Sequence, residues 1–384
     1  GDTSRPVAGA TGGSYTPPTD GAYAVQYWVR VSNTLGTADS RAVIVTPWFA
    51  RSTLVKQLIA GVVHGAGRWV VQGFSDNDYF SDDGATWSRT TTAVGGQSGG
   101  PVAWGNGIFV AADSDTVGAL WVSSDGSTWR KIFVPGSSAG FTQVAYAGGY
   151  LFALGAEGKF ATSVDGTNWT LRSVGSSVYL HDVAYGNDRY VMAAALTTHT
   201  STDLSAWESF AVADGDIRIS ALSFGAGKFV AVGGANQGRI MTSTDGASWT
   251  VRYTSNSNGV HDVAFNGSRF AVSASDYLLV SRDGLDWRRL SLPETSVIAS
   301  GAGRFLAVGN FAAWQSAADE LLGPVITAQP TQQSVVAGED ATFRVTAVGG
   351  TLTYRWQKDG VDLSGATGAT LTLTNVTAAD AGLY

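Results

Sequence analysis

One short phrase recurs along this chain, and its spacing constrains the fold more tightly than any other feature. It reads "SDDGATW" at 81–87, "SSDGSTW" at 123–129, "SVDGTNW" at 163–169, "STDGASW" at 243–249 and "SRDGLDW" at 281–287. A sixth copy, "STDLSAW" at 201–207, places Leu204 where the others have glycine. Its acidic residues Asp83, Asp125, Asp165, Asp203, Asp245 and Asp283 lie 38 to 42 positions apart. A second phrase keeps step with it: "VVHGAGRWVV" from Val62, "VAWGNGIFVA" from Val102, "VAYAGGYLFA" from Val144 and "VAYGNDRYVM" from Val183. It continues as "LSFGAGKFVA" from Leu222, "VAFNGSRFAV" from Val263 and "IASGAGRFLA" from Ile298, making seven copies. Units of this size cannot bury an apolar face alone, so they must stack on one another.

Within each unit the local pattern is β throughout. A short apolar strand turns at Gly or Asn and returns as an aromatic–aliphatic strand such as "KFVAVG". A third strand enters the acidic phrase, and a fourth leaves from its Trp. Asp-Gly between strands is a strong hairpin signal, because Gly accepts positive φ. The Asp carboxylate can take backbone N–H bonds across such a turn, and the Ser hydroxyl can brace it. The Trp is expected to seal the gap between the strands. On this reading Ser81, Ser123, Ser163, Ser201, Ser243 and Ser281, glycines Gly84, Gly126, Gly166, Gly246 and Gly284, and Trp87, Trp129, Trp169, Trp207, Trp249 and Trp287 are structural. Four strands per 40-odd residues, seven times over, predict an all-β, seven-bladed propeller.

The repeated phrase resembles the Asp-box, or BNR, repeat of sialidases, sortilin-like receptors and photosystem assembly propellers. The resemblance spans about 48–320. One departure is that Gly here follows Asp directly, where the usual box inserts a residue. The seventh unit has no box. Before the first repeat, however, "TPWFARST" repeats with Trp48 and Arg51 the spacing of Trp169/Arg172 and Trp249/Arg252. A strand over 48–54 is therefore expected to complete blade seven and close the ring, which removes free strand edges.

The ends read differently. From 322 to 384 short alternating strands contain Trp356 and end in "DAGLY", which resembles an immunoglobulin-like domain of the bacterial I-set type. The resemblance makes Trp356 the core Trp, Tyr384 the tyrosine-corner residue and Val345 the occupant of the usual first Cys position. Residues 1–46 resemble the closing strands of another such domain, with Tyr23 and Tyr27 both candidates for its corner. The expected order is an Ig-like end (1–46), a propeller (47–321) and an Ig-like start (322–384), a piece of a longer exported or surface-associated bacterial chain.

Composition narrows the function classes. The chain has 384 residues, 49 Gly and 13 Trp, and only 14% of its residues are charged. Net charge is −7 with no basic run, so a nucleic-acid footprint is absent. There is no Cys, which excludes disulfides, zinc–thiolate sites and thiol catalysis. No apolar run is long enough to span a bilayer.

Ligands of propellers gather where the innermost strands enter the central funnel. There two units carry a His-Asp pair: His181-Asp182 and His261-Asp262. The equivalent residues elsewhere are Gly100-Pro101, Thr142-Gln143, Ser220-Ala221 and Ser296-Val297, so folding does not require the pair. Imidazole and carboxylate suit metal binding or proton transfer, and they equally suit a hydrogen bond that anchors a loop. Tyr179 and Trp121 are candidates for sugar stacking. His64 and His199 lack a sequence partner. Arg68, Arg189, Lys228, Arg269 and Arg304 open the second strand of five units and should share one rim, as solvated turns or as a ring for an anion.

Sialidase chemistry needs convergent arginines, a Tyr–Glu pair and an Asp acid/base. The Arg-Ile-Pro signature does not occur, and "DIRIS" at 216–220 is its nearest echo. The expectation is a non-catalytic binding or adhesion module for a glycan or protein ligand, without cofactor or metal. The alternative is a carbohydrate-active hydrolase whose carboxylates meet only in three dimensions. Two carboxylates flanked by aromatics in the funnel would favour the hydrolase, and a small, aliphatic lining would favour binding.

Overall fold

The computed structural model describes residues 59–73, 78–90, 100–113, 115–138, 140–212, 218–234, 237–255, 259–290, 295–309, 313–316, 330, 333–345 and 354–384. It also describes the backbone strands Val25–Tyr27, Arg30–Asn33, Gly36–Asp39, Val43–Val45, Trp48–Arg51, Val325–Ala328 and Thr346–Val348. Tyr23 and residues 52–54 lie outside the described residues, as does the side chain of Tyr27. The chain divides into two compact units, 46–318 and a second built from 1–45 and 319–384.

The larger unit consists of seven four-stranded antiparallel sheets. Blade three is representative, with strands Phe141–Ala147, Tyr150–Gly155, Lys159–Ser163 and Thr170–Ser173 paired in chain order. Blades one, two, four, five and six occupy 59–89, 102–133, 180–211, 219–254 and 260–290. Blade seven takes three strands from 297–316, and its fourth is Trp48–Arg51, which pairs antiparallel with Ala313–Ser316. The innermost strand of each blade touches that of the next, and blade seven touches blade one, so the ring is closed.

The core lies between blades. Seven apolar clusters among the described residues each join two adjacent sheets, and each includes one Trp from the start of an outermost strand. Trp129 meets Val70 and Phe109 between blades one and two. Trp169 meets Val110 and Leu151 between two and three. Trp207, Trp249, Trp287 and Trp87 do the same around the ring, and Trp48 supplies the indole between blades six and seven. The expected seal between strands of one hairpin is thus a seal between neighbouring sheets. A four-stranded sheet is too narrow to cover its own faces, so its largest side chain must reach across.

The acidic corners share one geometry. In blade one the Ser81 hydroxyl accepts the Gly84 N–H at 2.8 Å and donates to Asp83 at 3.0 Å. One Asp83 oxygen accepts the N–H groups of Ala85 and Thr86, both at 2.7 Å. The other five corners repeat these bonds. The residue after Asp is left-handed in all six: Gly84 has φ 72°, and Leu204 has 65° despite its side chain. Each corner leans on the preceding blade. A Cβ on Gly126 would lie 2.6 Å from Val70 Cγ2, and one on Gly84 would lie 2.3 Å from Gln315 Nε2 of blade seven. Leu204 occupies the corresponding space between blades three and four, buried with Phe152 and Phe160.

In the second unit, Val345, Trp356 and Leu371 form a small core with Phe343 and Tyr384 packed against it. Trp356 Nε1 donates to the Gly368 carbonyl at 2.9 Å, and the Tyr384 hydroxyl donates to the Asp380 carbonyl at 2.8 Å. A tyrosine hydroxyl returning to the backbone a few residues upstream is the tyrosine-corner geometry.

Candidate functional site

The innermost strands bring their first residues together around a cavity of about 280 Å³. Blade four contributes Asp182 to its wall, blade six His261 and Asp262, and blade three Gln143. The rest of the lining is small or aliphatic: Ala60, Gly61 and Val62, Pro101 and Val102, Val144, Ser220 and Ala221, and Ser296, Val297 and Ile298. Among the described residues no Phe, Tyr or Trp lines it.

In five blades the pairing register slips by one residue at this level, between Ile59/Gly61, Phe141/Gln143, Leu180/Asp182, Ile219/Ala221 and Val260/Asp262. His181 and His261 are the extra residues of two such bulges. A bulge re-aims side chains, and here it turns the following residue toward the neighbouring blade.

That rotation decides what the two acids do. Asp182 accepts the N–H of Val183 at 2.8 Å with one oxygen and the N–H of Leu222, in blade five, at 2.7 Å with the other. Asp262 likewise accepts the N–H of Val263 at 2.8 Å and that of Ile298, in blade seven, at 2.9 Å. Each carboxylate is a strut between adjacent innermost strands. Burial in the channel wall pushes the Asp182 carboxyl up to about 7, against the pull of its two N–H donors and with the nearby Asp262 charge adding to the rise. Burial raises Asp262 to about 6, again against its two N–H donors. Both groups therefore exchange a proton near neutrality.

The imidazoles have separate roles. His261 Nε2 lies 3.0 Å from the Ser275 hydroxyl, and its carbonyl accepts the Ser220 hydroxyl at 2.8 Å. Burial holds the His181 pKa below its ordinary value, and among the described residues its ring has no hydrogen-bond partner. The anchoring that sequence reasoning assigned to a His–Asp bond is made instead by Asp with backbone N–H groups, since the bulge points the two side chains of each pair differently. Among the described residues no group of three or more His, Asp or Glu side chains is placed to hold a metal.

Other candidates lie elsewhere. Trp121 sits on the third strand of blade two, its indole N–H donating to buried Asp113 at 2.9 Å and Lys131 lying 5.0 Å over its ring. Tyr179 is exposed just before the blade-four innermost strand and does not line the cavity. His64 packs edge-on against Trp69, and His199 is buried between Thr197 and Ser209. Arg68 is held by Asp82 at 3.0 Å and by the Asp125 carbonyl, and Arg269 is buried.

Seven four-stranded sheets closed around a channel leave one architecture. The large unit is a seven-bladed β-propeller. Solved propellers align with it along nearly their whole length. YCF48 bound to D1 peptide shares 17% identity at a TM-score of 0.56, covering 70% of this chain and 94% of that one. YCF48 from Cyanidioschyzon merolae shares 14% at 0.54, covering 70% and 98%. Virginiamycin B lyase from Staphylococcus aureus shares 9% at 0.59, covering 71% and 98%. At these identities the likeness is one of fold. The immunoglobulin-domain family profile matches residues 323–384. No curated protein matches the chain.

Proposed function

We propose that this chain is a non-catalytic binding module of an exported bacterial protein, with the propeller funnel receiving a protein or glycan ligand. The observation that carries the reading is the funnel lining: small and aliphatic walls, with the polar groups tied to the backbone. Both oxygens of Asp182 and Asp262 hold N–H groups, and the Ser220 and Ser296 hydroxyls donate to carbonyls. A wall without aromatic faces suits a polypeptide segment better than a stacked sugar. The likeness to a propeller that binds a peptide points the same way. We read the acidic corners as a variant Asp-box and the ends as I-set Ig-like modules of a surface or secreted chain that binds no nucleic acid.

The test is a peptide-array and glycan-array screen of the full chain, repeated with His181→Ala and His261→Ala. A ligand lost with His261→Ala supports the funnel. Binding that survives both substitutions removes the funnel from the reading.

One observation favours a hydrolase: two carboxyl groups that titrate near neutrality share one cavity. Turnover of any member of a chromogenic glycoside panel, abolished by Asp182→Asn or Asp262→Asn, would replace the binding reading with this one.

A further inference from the structure

The other end of the innermost strands carries a feature the funnel reading does not use. Tyr146 follows the funnel residue Gln143 by three positions, about 10 Å along an extended strand. At the position of Tyr146, six of the seven blades carry a ring: His64, Trp104, Tyr146, Tyr185, Phe224 and Phe265, with Ser300 in blade seven. Most of these rings sit on a glycine of the preceding blade. A Cβ on Gly105 would lie 1.9 Å from Tyr146, one on Gly65 2.2 Å from Trp104, and one on Gly186 2.3 Å from Phe224. Glycine leaves room for five of these rings, while blade three has Ala147 at the position before Tyr185; together the six rings form an aromatic collar.

The collar is most open at blades three and four. Tyr146 is 43% exposed and Tyr185 37% exposed. Tyr185 packs 4.6 Å from Tyr190, whose hydroxyl donates to the Gly148 carbonyl at 2.9 Å. Burial raises the Tyr190 hydroxyl, with Tyr185, Tyr150 and Tyr146 adding to the rise and Arg172 opposing it.

Orientation is fixed before any ligand arrives. The Tyr146 hydroxyl donates to Asn106 Oδ1 at 2.8 Å, while Asn106 itself donates to the carbonyls of Gly149 and Val164. The hydroxyls of Tyr150 and Tyr185 have no hydrogen-bond partner among the described residues.

Charge selects the ligand class. Four blades open their second strand with Arg or Lys beside the collar and blade six has buried Arg269 just before it, but blades two and three place Ile108 and Tyr150 there. In blade four Arg189 follows Asp188 directly, so these turns give the tyrosine sector no net charge. Half-exposed rings, one held by Asn106 and the other with a hydroxyl unpartnered among the described residues, match the apolar C–H face and equatorial hydroxyls of an uncharged pyranose. An acidic chain would find more cations elsewhere on the rim.

We propose that the Tyr146–Tyr185 sector is a second binding site, distinct from the funnel, that takes a neutral oligosaccharide with successive pyranose faces stacked on the two rings. Trp104, adjacent in the collar, gives a fluorescence signal for occupancy. The test titrates the full chain with cellohexaose, xylohexaose, mannohexaose and chitohexaose, and with hexagalacturonate as the charged comparison.

At least one neutral hexasaccharide should bind and weaken about tenfold in Tyr185→Leu, which keeps apolar bulk but loses the flat face. Tyr185→Phe should retain binding within about threefold, and Tyr146→Ala should repeat the loss. Asp262→Asn, in the funnel, should leave it unchanged, which separates this site from the function proposed above. Three outcomes overturn the proposal: no neutral hexasaccharide bound up to about 5 mM; binding indifferent to Tyr185→Leu; or tighter binding of hexagalacturonate.

Discussion

Asp182 in blade four accepts the backbone N–H of Leu222 in blade five at 2.7 Å, so a carboxylate beside the channel ties two sheets together. Its pKa is raised to about 7, and that of Asp262 to about 6. A raised carboxyl contributes stability that is complete below its unfolded value, about 3.9, and is lost as pH rises through the folded value. Stability of the propeller should therefore fall between about pH 4 and pH 7. Asp182→Asn/Asp262→Asn fixes both groups neutral. It loses an acceptor at each strut, a cost of about 1 kcal/mol that does not vary with pH. Urea midpoints across pH 4–8 should show the wild-type decline and a flat double variant. A decline of equal slope in the variant would assign the titration to other groups.

The corner aspartates act in the opposite direction. N–H bonds from Thr86 and Ala85 lower Asp83 to about 2. Asp125 also falls to about 2, because its N–H donors Thr128 and Ser127 outweigh the burial that would raise it. A depressed carboxyl contributes stability that is present above about pH 4 and lost as pH falls through the folded value. Acid unfolding should accordingly run from about pH 4 to pH 2, leaving maximum stability near pH 4–5. Asp83→Asn/Asp125→Asn should be less stable at pH 7 and lose less between pH 4 and 2. Tryptophan fluorescence during acid titration reads both.

At Leu204 two effects compete. Holding a branched side chain at φ 65° costs about 1 kcal/mol, which Leu204→Gly would recover. The same substitution empties a site only 3% exposed between blades three and four, and truncating a buried Leu costs about 2–5 kcal/mol. Burial wins, so Leu204→Gly should destabilise by about 1–4 kcal/mol even though it restores the glycine of the other corners. A rise in the urea midpoint would show that strain dominates.

These results separate what a local phrase can encode from what it cannot. A carboxylate, a hydroxyl and a left-handed residue within four positions define their own hydrogen bonds, so corner chemistry is readable from "SVDGTNW" alone. Seven phrases in register also announce seven sheets. The indole's destination is not readable locally, because the second wall of its pocket comes from a residue about 60 positions away, as with Trp169 and Val110. The funnel pairs were readable as positions but not as interactions. The one-residue slip at His181 has no sequence mark, and it decides that Asp182 meets Leu222. The tyrosine sector reads as ordinary strand pattern because what exposes and seats its rings, such as Gly105 under Tyr146, belongs to another blade.

Ring closure gives the last prediction. Trp48 precedes every repeat, yet it stacks on Phe305 with centroids 6.2 Å apart and belongs to the core between blades six and seven. Its strand covers Ala313–Ser316, which would otherwise expose a row of unpaired N–H and C=O groups. Trp48→Ala removes a large side chain from an interblade core and should cost about 3–5 kcal/mol. A chain beginning at residue 52 loses the whole strand as well as the indole. Because the Ala313–Ser316 edge can recruit a strand from another molecule, that truncation should associate in a concentration-dependent way, whereas Trp48→Ala, which keeps the strand, should stay unassociated at the same concentration. Size-exclusion chromatography with light scattering distinguishes the two. A truncated chain that ran as a stable monomer would mean that three strands suffice for blade seven and that the N-terminal strand is an ornament of the ring.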